Sequence, residues 1–580
     1  MPEARPQRDE TEYNGSPPAV AAALERLGVA PLVGDALDPV GLARALGRAL
    51  GRALLDPRSA SVLVRHSAGI AVATLAAAAR ALGVDVAAPL APAPKDGRFA
   101  EPAWSENAGY YALLQAYLLN RQTFLELVER GATPEEAPKA RFGAGLFADA
   151  LAPTNFLPTN PAALRRAWET GGKSVARGWL NFLRDLRDNG GWPSQVDRSA
   201  FEVGRDLAAT PGQVVYRNEL IELIQYAPAT EQVRETPLLI CPPWINKYYI
   251  VDLAPGKSLV GWAVSHGLTT FVISFRNPDS SMRDVGFDDY LFKGLRVALD
   301  VVREISSVPA VNILSVCLGA TLTTTLLAFL DATGERGLVR SSTTLNSLVD
   351  HSKAGALSSV FTDEAAVASL ERKMARQGYL EARDMAHTFD LLRANDLVFN
   401  YVVSGWLMGQ RPPAFDLLAW NADSTRMPAK MHSFYLRKCW VENALAEDRM
   451  ELAGELLRVS EIDVDHYIVA AVEDHIVPWR NAYRTTQLLR KASCRFVLSS
   501  SGHIAGIVNP PSPKARYWTN DVLPADPEEW LRAATEHADT WWNDWPEWII
   551  PRSGELRDPP AFGSANHPPL GPAPGTYVRG

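Results

Sequence analysis

Residues 313–330 read ILSVCLGATLTTTLLAFL: a short apolar run, a turn of small residues around Cys317, then a helix-length apolar stretch. A strand that turns sharply into a helix with one nucleophilic side chain at the apex is a nucleophile elbow, here with cysteine in the place of serine. The apex is strained and tolerates only small neighbours two positions away, a demand that Ser315 and Gly319 meet. Cys317 then projects from the turn at the positive end of the following helix, which favours a thiolate. The main-chain N–H of Leu318 is left to bind an oxyanion. An ordinary buried cysteine would need none of these neighbours.

Outward from the elbow, short β-branched runs alternate with helix-length amphipathic stretches after Gln213, the pattern of a parallel sheet covered on both faces. Strands are expected at PLLIC (237–241), TFVISF (270–275), VNILSV (311–316), TTLNSL (343–348), YIVAAV (467–472) and RFVLS (495–499). Between the fourth and fifth lies a long stretch rich in Trp, Phe and Tyr without strand spacing, expected to be a helical cap over residues 350–463. The fold class that follows is α/β: an α/β-hydrolase fold over residues 206–580 with this inserted cap, behind a mainly helical N-terminal domain over residues 96–205.

In such a fold the acid follows a later strand and the histidine follows the last one. Asp474 stands at the end of YIVAAVE, and His503 lies in SSSGHIAG directly after the last expected strand. His503 is the expected general base and Asp474 the group that orients it and stabilises the imidazolium. Glu473, Asp463 and Asp465 are rival acids and His475 and His466 rival bases; Asp474 is preferred for its place at the strand end. A second oxyanion donor is expected from the loop after PLLIC, from the main-chain N–H of Ile245 or Asn246. The Glu473–Asp474–His475 run lacks any accompanying HExxH or paired-cysteine spacing, so no metal is expected, and no cofactor.

With 580 residues and 47% hydrophobic content the chain can bury at least one large core. A net charge of -8 offers no general attraction to phosphate backbones, and nucleic acid is not an expected partner. Four cysteines without CxxC or dense spacing fit a reducing compartment. The first 18 residues are polar where a secretory signal would need an apolar core, so a cytoplasmic location is expected. The alanine-rich run over residues 68–79 falls short of the roughly 20 apolar residues that a membrane span needs, and is expected to be a packed helix. Residues 1–95 form a divergent N-terminal extension ending in the Pro-rich linker AAPLAPAPK (87–95). Within it, ALGRALGRALL (45–55) sets Leu42, Leu46, Leu50 and Leu54 on one helical face and Arg44, Arg48 and Arg52 on another; it reads either as a surface-seeking helix or as a domain helix with a solvated basic face.

The chain resembles the class I polyhydroxyalkanoate (poly-3-hydroxybutyrate) synthases from about Asp96 to the mid-500s. The matching blocks are DALAPTNFLPTNP (149–161), PPWINKYYIVDLAPGKSLV (242–260), FVISFRNPD (271–279), LVFNYVVSGWLMG (397–409), FDLLAWNADSTRMP (415–428), GHIAGIVNPP (502–511) and KARYW (514–518). By motif, Cys317, Asp474 and His503 fall on the family's catalytic residues. The resemblance implies a 3-hydroxyacyl-CoA substrate of the short-chain 3-hydroxybutyryl class, a growing polyester product, a homodimer, and residence on polyester granules. The family's elbow usually reads G-x-C-x-G-G, whereas here Ser315 and Ala320 stand at the first and last glycines; both are small enough for an elbow, and activity is expected to be kept.

On this reading, the Cys317 thiolate takes the acyl group from the thioester and releases CoA, and the 3-hydroxyl of the next unit then attacks the acyl-cysteine. Whether Asp474 deprotonates that hydroxyl directly or through His503 stays open at the level of sequence; a split role would make Asp474→Asn slow elongation more than acylation. Aromatic residues of the cap, Phe399, Trp406, Phe415 and Trp420, serve either as the lining of an apolar path or as cap core. The alternative function is a hydrolase with the same triad, a thioesterase or a polyester depolymerase.

Overall fold

The structure, a computed structural model, describes residues 39–580 apart from Asp85, Lys95, Lys353, Ala356 and Thr362. The polar N-terminal stretch on which the signal argument rests lies outside the described residues. The described chain divides into two compact units, one ending at Pro193 and taking in Val402–Gly409, the other comprising the remainder. The expected boundary near residue 205 therefore falls about a dozen residues earlier, and eight residues of the expected cap belong with the first unit.

The first unit is helical: α1 Pro39–Leu55, α2 Ser59–Ala81, α3 Ala108–Gly131, α4 Ala137–Ala150, α5 Pro161–Glu169 and α6 Lys173–Asp188. In α1 the small residues make the packing. Ala45, Leu46 and Ala49 bury against Val128 of α3 and Ala140 and Ala144 of α4, so this stretch is part of the helical body rather than a separate extension. Arg48 pairs with Glu136 at 3.2 Å, and Arg52 Nε donates to the Gly131 carbonyl at 2.6 Å. The repeat is thus a domain helix with Arg48 and Arg52 paired, although Leu54 at its end is exposed. The Pro-rich joint is pinned as well: the buried Gln115 amide accepts from Leu90 N–H at 3.1 Å and donates to its carbonyl at 2.7 Å.

Helix α2 departs from the expectation of a packed helix. It is 23 residues long, its most apolar window has a mean hydropathy of 1.5, and only 17% of that window is buried. Val62, Ala73, Ala76 and Ala77 face inward while Leu63, Val64, Val72 and Leu75 are exposed. It is the one helix among the described residues long and apolar enough to cross a membrane.

The second unit is built on an eleven-stranded sheet. Its strands are β1 Gly212–Arg217, β2 Ile221–Tyr226, β3 Leu238–Cys241, β4 Thr270–Phe275, β5 Val311–Val316, β6 Val339–Leu345, β7 Asp465–Ala471, β8 Cys494–Ser499, β9 Tyr517–Thr519, β10 Thr535–His537 and β11 Gly571–Pro572. They lie in the order β10-β9-β8-β7-β6-β5-β3-β4-β2-β1-β11. The segment from β4 through β3, β5, β6 and β7 to β8 is parallel, as the buried apolar runs require. Antiparallel strands extend both edges. Two large apolar clusters cover the faces, one holding Leu239, Ile313, Leu322 and Phe496, the other Ile240, Leu314, Val469 and Trp541.

One expected strand is displaced: it runs over Val339–Leu345 rather than 343–348. Its Ser and Thr side chains are buried; Ser341 Oγ donates to Asn312 Oδ1 at 2.7 Å and Thr343 Oγ1 accepts from Trp545 Nε1 at 3.0 Å, so the strand lacks the apolar run that marks its neighbours. Asn346, at φ 45°, ends it.

Helix α7 Leu318–Ala332 follows β5. The insertion holds α8 Glu364–Gln377, α9 Ala382–Leu392, α10 Asp416–Asn421 and α11 Ala429–Tyr435. It also contains a short antiparallel pair, Tyr379–Leu380 with Met427–Pro428, and a hairpin, Met450–Leu452 with Glu455–Leu457, which its sequence spacing does not announce. Helix α12 His503–Ile507 follows β8.

Gly131 tests the packing of the first unit, since a Cβ there would lie 1.9 Å from the Ala49 carbonyl oxygen of α1. Gly131→Ala is expected to cost about 1–3 kcal/mol through forced separation of α1 and α3; a denaturant midpoint equal to wild type would contradict this packing.

Candidate active site

The sheet brings the elbow, the acid and the histidine together at the carboxyl ends of its parallel strands. Cys317 sits between β5 and α7 with φ 50° and ψ −117°, a conformation that non-glycine residues rarely adopt. Its N–H donates to the Leu345 carbonyl at 2.9 Å, and its own carbonyl accepts from Ala320 N–H at 3.0 Å, which hold the strained turn from both sides. Gly319 is forced by contact: a Cβ would lie 2.2 Å from Cys241 O and 2.7 Å from Pro242 O. At Ser315 the structure finds a use for the departure from glycine. Its hydroxyl is buried and 2.7 Å from Thr323 Oγ1 of α7.

Asp474 and His503 are both buried. His503 Nδ1 donates to Asp474 Oδ2 at 2.7 Å, while Asp474 Oδ1 accepts from Ile476 N–H at 2.9 Å and Val477 N–H at 2.8 Å. The carboxylate is thus oriented by its own turn. The His503 carbonyl accepts from the Asn346 amide at the end of β6, which fixes the ring's origin. With Nδ1 engaged, Nε2 is the imidazole atom left for the thiol, and Cys317 is the second side chain bonded to His503. Burial alone would push the imidazole pKa down, but the Asp474 charge and hydrogen bond, followed by Cys317, push it up to about 10.

The rival groups are placed otherwise. His466 is buried within β7, its Nδ1 2.6 Å from the Val464 carbonyl, and burial holds its pKa down at about 4. His475 is likewise pushed down to about 4 by burial, and its Nδ1 has no hydrogen-bond partner among the described residues. Asp465 pairs with Arg552 at 2.8 Å, Asp463 lies 3.8 Å from Arg336, and Glu473 is exposed.

The loop after β3 is buried and structured, with Asn246 at φ 63°. Ile245 N–H and Asn246 N–H have no acceptor among the described residues, and Leu318 N–H, opening α7, has none within its helix. Trp244 of this loop packs edge-on against Tyr435 of α11 at 5.9 Å. Burial, then the charges of Cys439 and Cys317, raise the Tyr435 hydroxyl's pKa, and Tyr435 lies in the apolar cluster against which Cys317 packs. Sequence reasoning missed Tyr435, Trp244 and Asn346, because no local pattern marks a residue that reaches the site from another element.

Of the four cap aromatics, Phe399 and Trp420 are buried as packing residues. Trp406 belongs to the first unit, where its Nε1 donates to Asp185 at 2.7 Å and its ring meets Phe182 edge-on. Phe415 is partly exposed, with the Lys257 ammonium 5.6 Å from its ring centroid.

The pH response follows from the His503 shift. An imidazole whose folded pKa lies above its unfolded value of about 6.5 adds stability that is complete below that pH and is lost as pH rises through about 10. Asp474→Asn is therefore expected to remove a stabilisation present at pH 6 and absent above pH 10; urea midpoints that differ from wild type equally at both pH values would contradict this coupling.

Residues 95–263 match the family described as the poly-beta-hydroxybutyrate polymerase (PhaC) N-terminus, and residues 237–510 match the alpha/beta hydrolase fold. The chain is 44% identical over 494 residues to the poly(3-hydroxyalkanoate) polymerase of Methylorubrum extorquens, covering 84% of this chain and 81% of that protein. It is 44% identical to poly(3-hydroxyalkanoate) polymerase 2 of Ectopseudomonas oleovorans, over 84% of this chain and 87% of the other. To the poly(3-hydroxyalkanoate) polymerase subunit PhaC of Cupriavidus necator it is 43% identical, over 83% of each. A solved monoacylglycerol lipase from Paleococcus ferrophilus is similar over 58% of this chain and all of its own, at 12% identity and a TM-score of 0.32, which adds nothing to the fold already described.

Proposed function

The chain belongs to the poly(3-hydroxyalkanoate) polymerase family, and from that premise we propose that it polymerises (R)-3-hydroxyacyl-CoA, of the short 3-hydroxybutyryl class, through an acyl-Cys317 intermediate. The observation that carries the reading is the buried Asp474–His503 pair bonded to an elbow cysteine. In the first step His503 holds the thiol proton, the Cys317 thiolate attacks the thioester carbonyl, and the tetrahedral oxyanion is held by the N–H groups of Leu318 and Ile245 or Asn246. Collapse breaks the C–S bond to CoA. The proton on His503 passes to the departing CoA thiolate, which leaves an acyl-enzyme and a neutral imidazole.

In the second step the 3-hydroxyl of the next unit loses its proton to His503 as its oxygen attacks the acyl-cysteine, forming the ester and restoring the thiolate–imidazolium pair. Both Asp474 oxygens already accept hydrogen bonds, Oδ2 from His503 and Oδ1 from two main-chain N–H groups. That favours relay through His503 over direct contact between Asp474 and the hydroxyl. Cysteine suits transfer, because a thioester intermediate is activated toward an incoming alcohol. We place the enzyme in the cytoplasm on polyester granules as a homodimer, on the strength of the family resemblance.

Cys317→Ala is expected to abolish acyl-enzyme formation and CoA release from 3-hydroxybutyryl-CoA, read by thiol trapping with polymer extracted in parallel. CoA release by wild type with free hydroxy acid and no polymer would make the protein a thioesterase instead. Under relay, Asp474→Asn slows acylation and elongation by comparable factors of about 10²–10⁴; a selective loss of elongation in single-turnover experiments would move Asp474 onto the hydroxyl.

A further inference from the structure

The loop that would supply the second oxyanion donor is held from the cap, and four hydrogen bonds do the holding. Thr425 Oγ1 donates to the Trp244 carbonyl at 2.8 Å, and Trp420 Nε1 donates to the Lys247 carbonyl at 2.8 Å. Tyr249 OH donates to Asp423 at 2.8 Å, and Asn246 Nδ2 reaches the Asn421 carbonyl at 3.5 Å. Thr425 and Trp420 are both buried, so water does not compete for these carbonyls.

The bond from Thr425 has a directional consequence. Across a trans peptide the C=O and the following N–H point to opposite sides. Drawing the Trp244 oxygen toward Thr425 therefore turns Ile245 N–H the other way, and that N–H has no acceptor among the described residues. The loop leaves β3 at the elbow itself, where Gly319 abuts the carbonyls of Cys241 and Pro242, and Ile245 packs in the same apolar cluster as Cys317.

We propose that Thr425 is a positioning residue for the reaction: its hydroxyl locks the Trp244–Ile245 peptide so that Ile245 N–H is aimed at the oxyanion formed on Cys317. This rests on the reading of Cys317 as nucleophile and Ile245 as donor. Thr425 touches no reacting atom. A cap residue thus preorganises the oxyanion hole, and displacement of the segment from Trp420 to Thr425 switches the hole off while leaving the Asp474–His503–Cys317 triad intact.

The test separates acylation from alkylation at the same sulfur. Attack of Cys317 on iodoacetamide displaces iodide at a saturated carbon and develops no oxyanion, whereas attack on 3-hydroxybutyryl-CoA does. Thr425→Val keeps the side chain's shape and removes the donor. It is expected to lower the acylation rate constant about 10- to 100-fold, somewhat less than outright loss of an oxyanion donor. Iodoacetamide labelling of Cys317, read by mass spectrometry, stays within about twofold, the pH profile is unchanged, and Thr425→Ser restores acylation. Should Thr425→Val fail to fold, Thr425→Ala, which only removes atoms, carries the same expectation. A parallel fall in acylation and alkylation, or no fall in either, overturns the proposal. Full acylation by Cys317→Ala would instead overturn the nucleophile assignment beneath it.

Discussion

The main chain at Cys317 carries a conformation that costs a non-glycine residue about 1–3 kcal/mol, and it persists because the surroundings over-determine it. The Leu345 carbonyl of β6 accepts its N–H, Ala320 N–H in the first turn of α7 donates to its carbonyl, and Gly319 lets α7 approach the end of β3 to a distance no other residue permits. Three neighbouring parallel strands therefore converge on one residue. The order β6-β5-β3 is what makes that convergence possible, because each flanking strand ends beside the turn.

From this strained point the site extends by handing constraint from one element to the next. Asn346, where β6 ends, holds the His503 carbonyl; His503 holds Asp474; Asp474 is in turn fixed by two N–H groups of its own turn after β7. Burial of the pair works against a charged imidazole, and the facing carboxylate more than reverses it. The consequence is a histidine that holds a proton readily without losing its place. The cap fixes the loop of Trp244 to Tyr249 through buried hydrogen bonds, with carbonyls as the handles.

Legibility in the sequence followed from how local each constraint is. The strands β3, β4, β5, β7 and β8 are read from apolar runs because both faces of a parallel sheet are buried. The strand β6 is misplaced by four residues at its start because its buried residues include Ser341, Ser342, Thr343 and Thr344 instead of an apolar run, with Ser341 and Thr343 bonded to Asn312 and Trp545 elsewhere in the chain. The hairpin of β1 and β2 escaped notice although Asn218, whose side chain accepts from Leu220 and Ile221 N–H, is a turn former between two apolar runs. The division of the chain was less legible still. Nothing near residue 406 signals that Val402–Gly409 leaves the cap; Gly178 of α6, where a Cβ would lie 1.9 Å from the Trp406 carbonyl, records the contact only in three dimensions.

What the sequence by itself determined is the elbow and the order of strand, acid and histidine, because a strained turn demands small residues at fixed offsets and strand ends demand apolar runs before them. Only the tertiary structure decided which acid meets which base, why serine is tolerated at position 315, and that Tyr435 and Thr425 reach the site from the cap. These are contacts between residues from about 30 to 180 positions apart, or, for Ser315, a hydroxyl pairing across the elbow. Their physical basis is a hydrogen bond or a van der Waals approach across elements, and no periodicity along the chain encodes it.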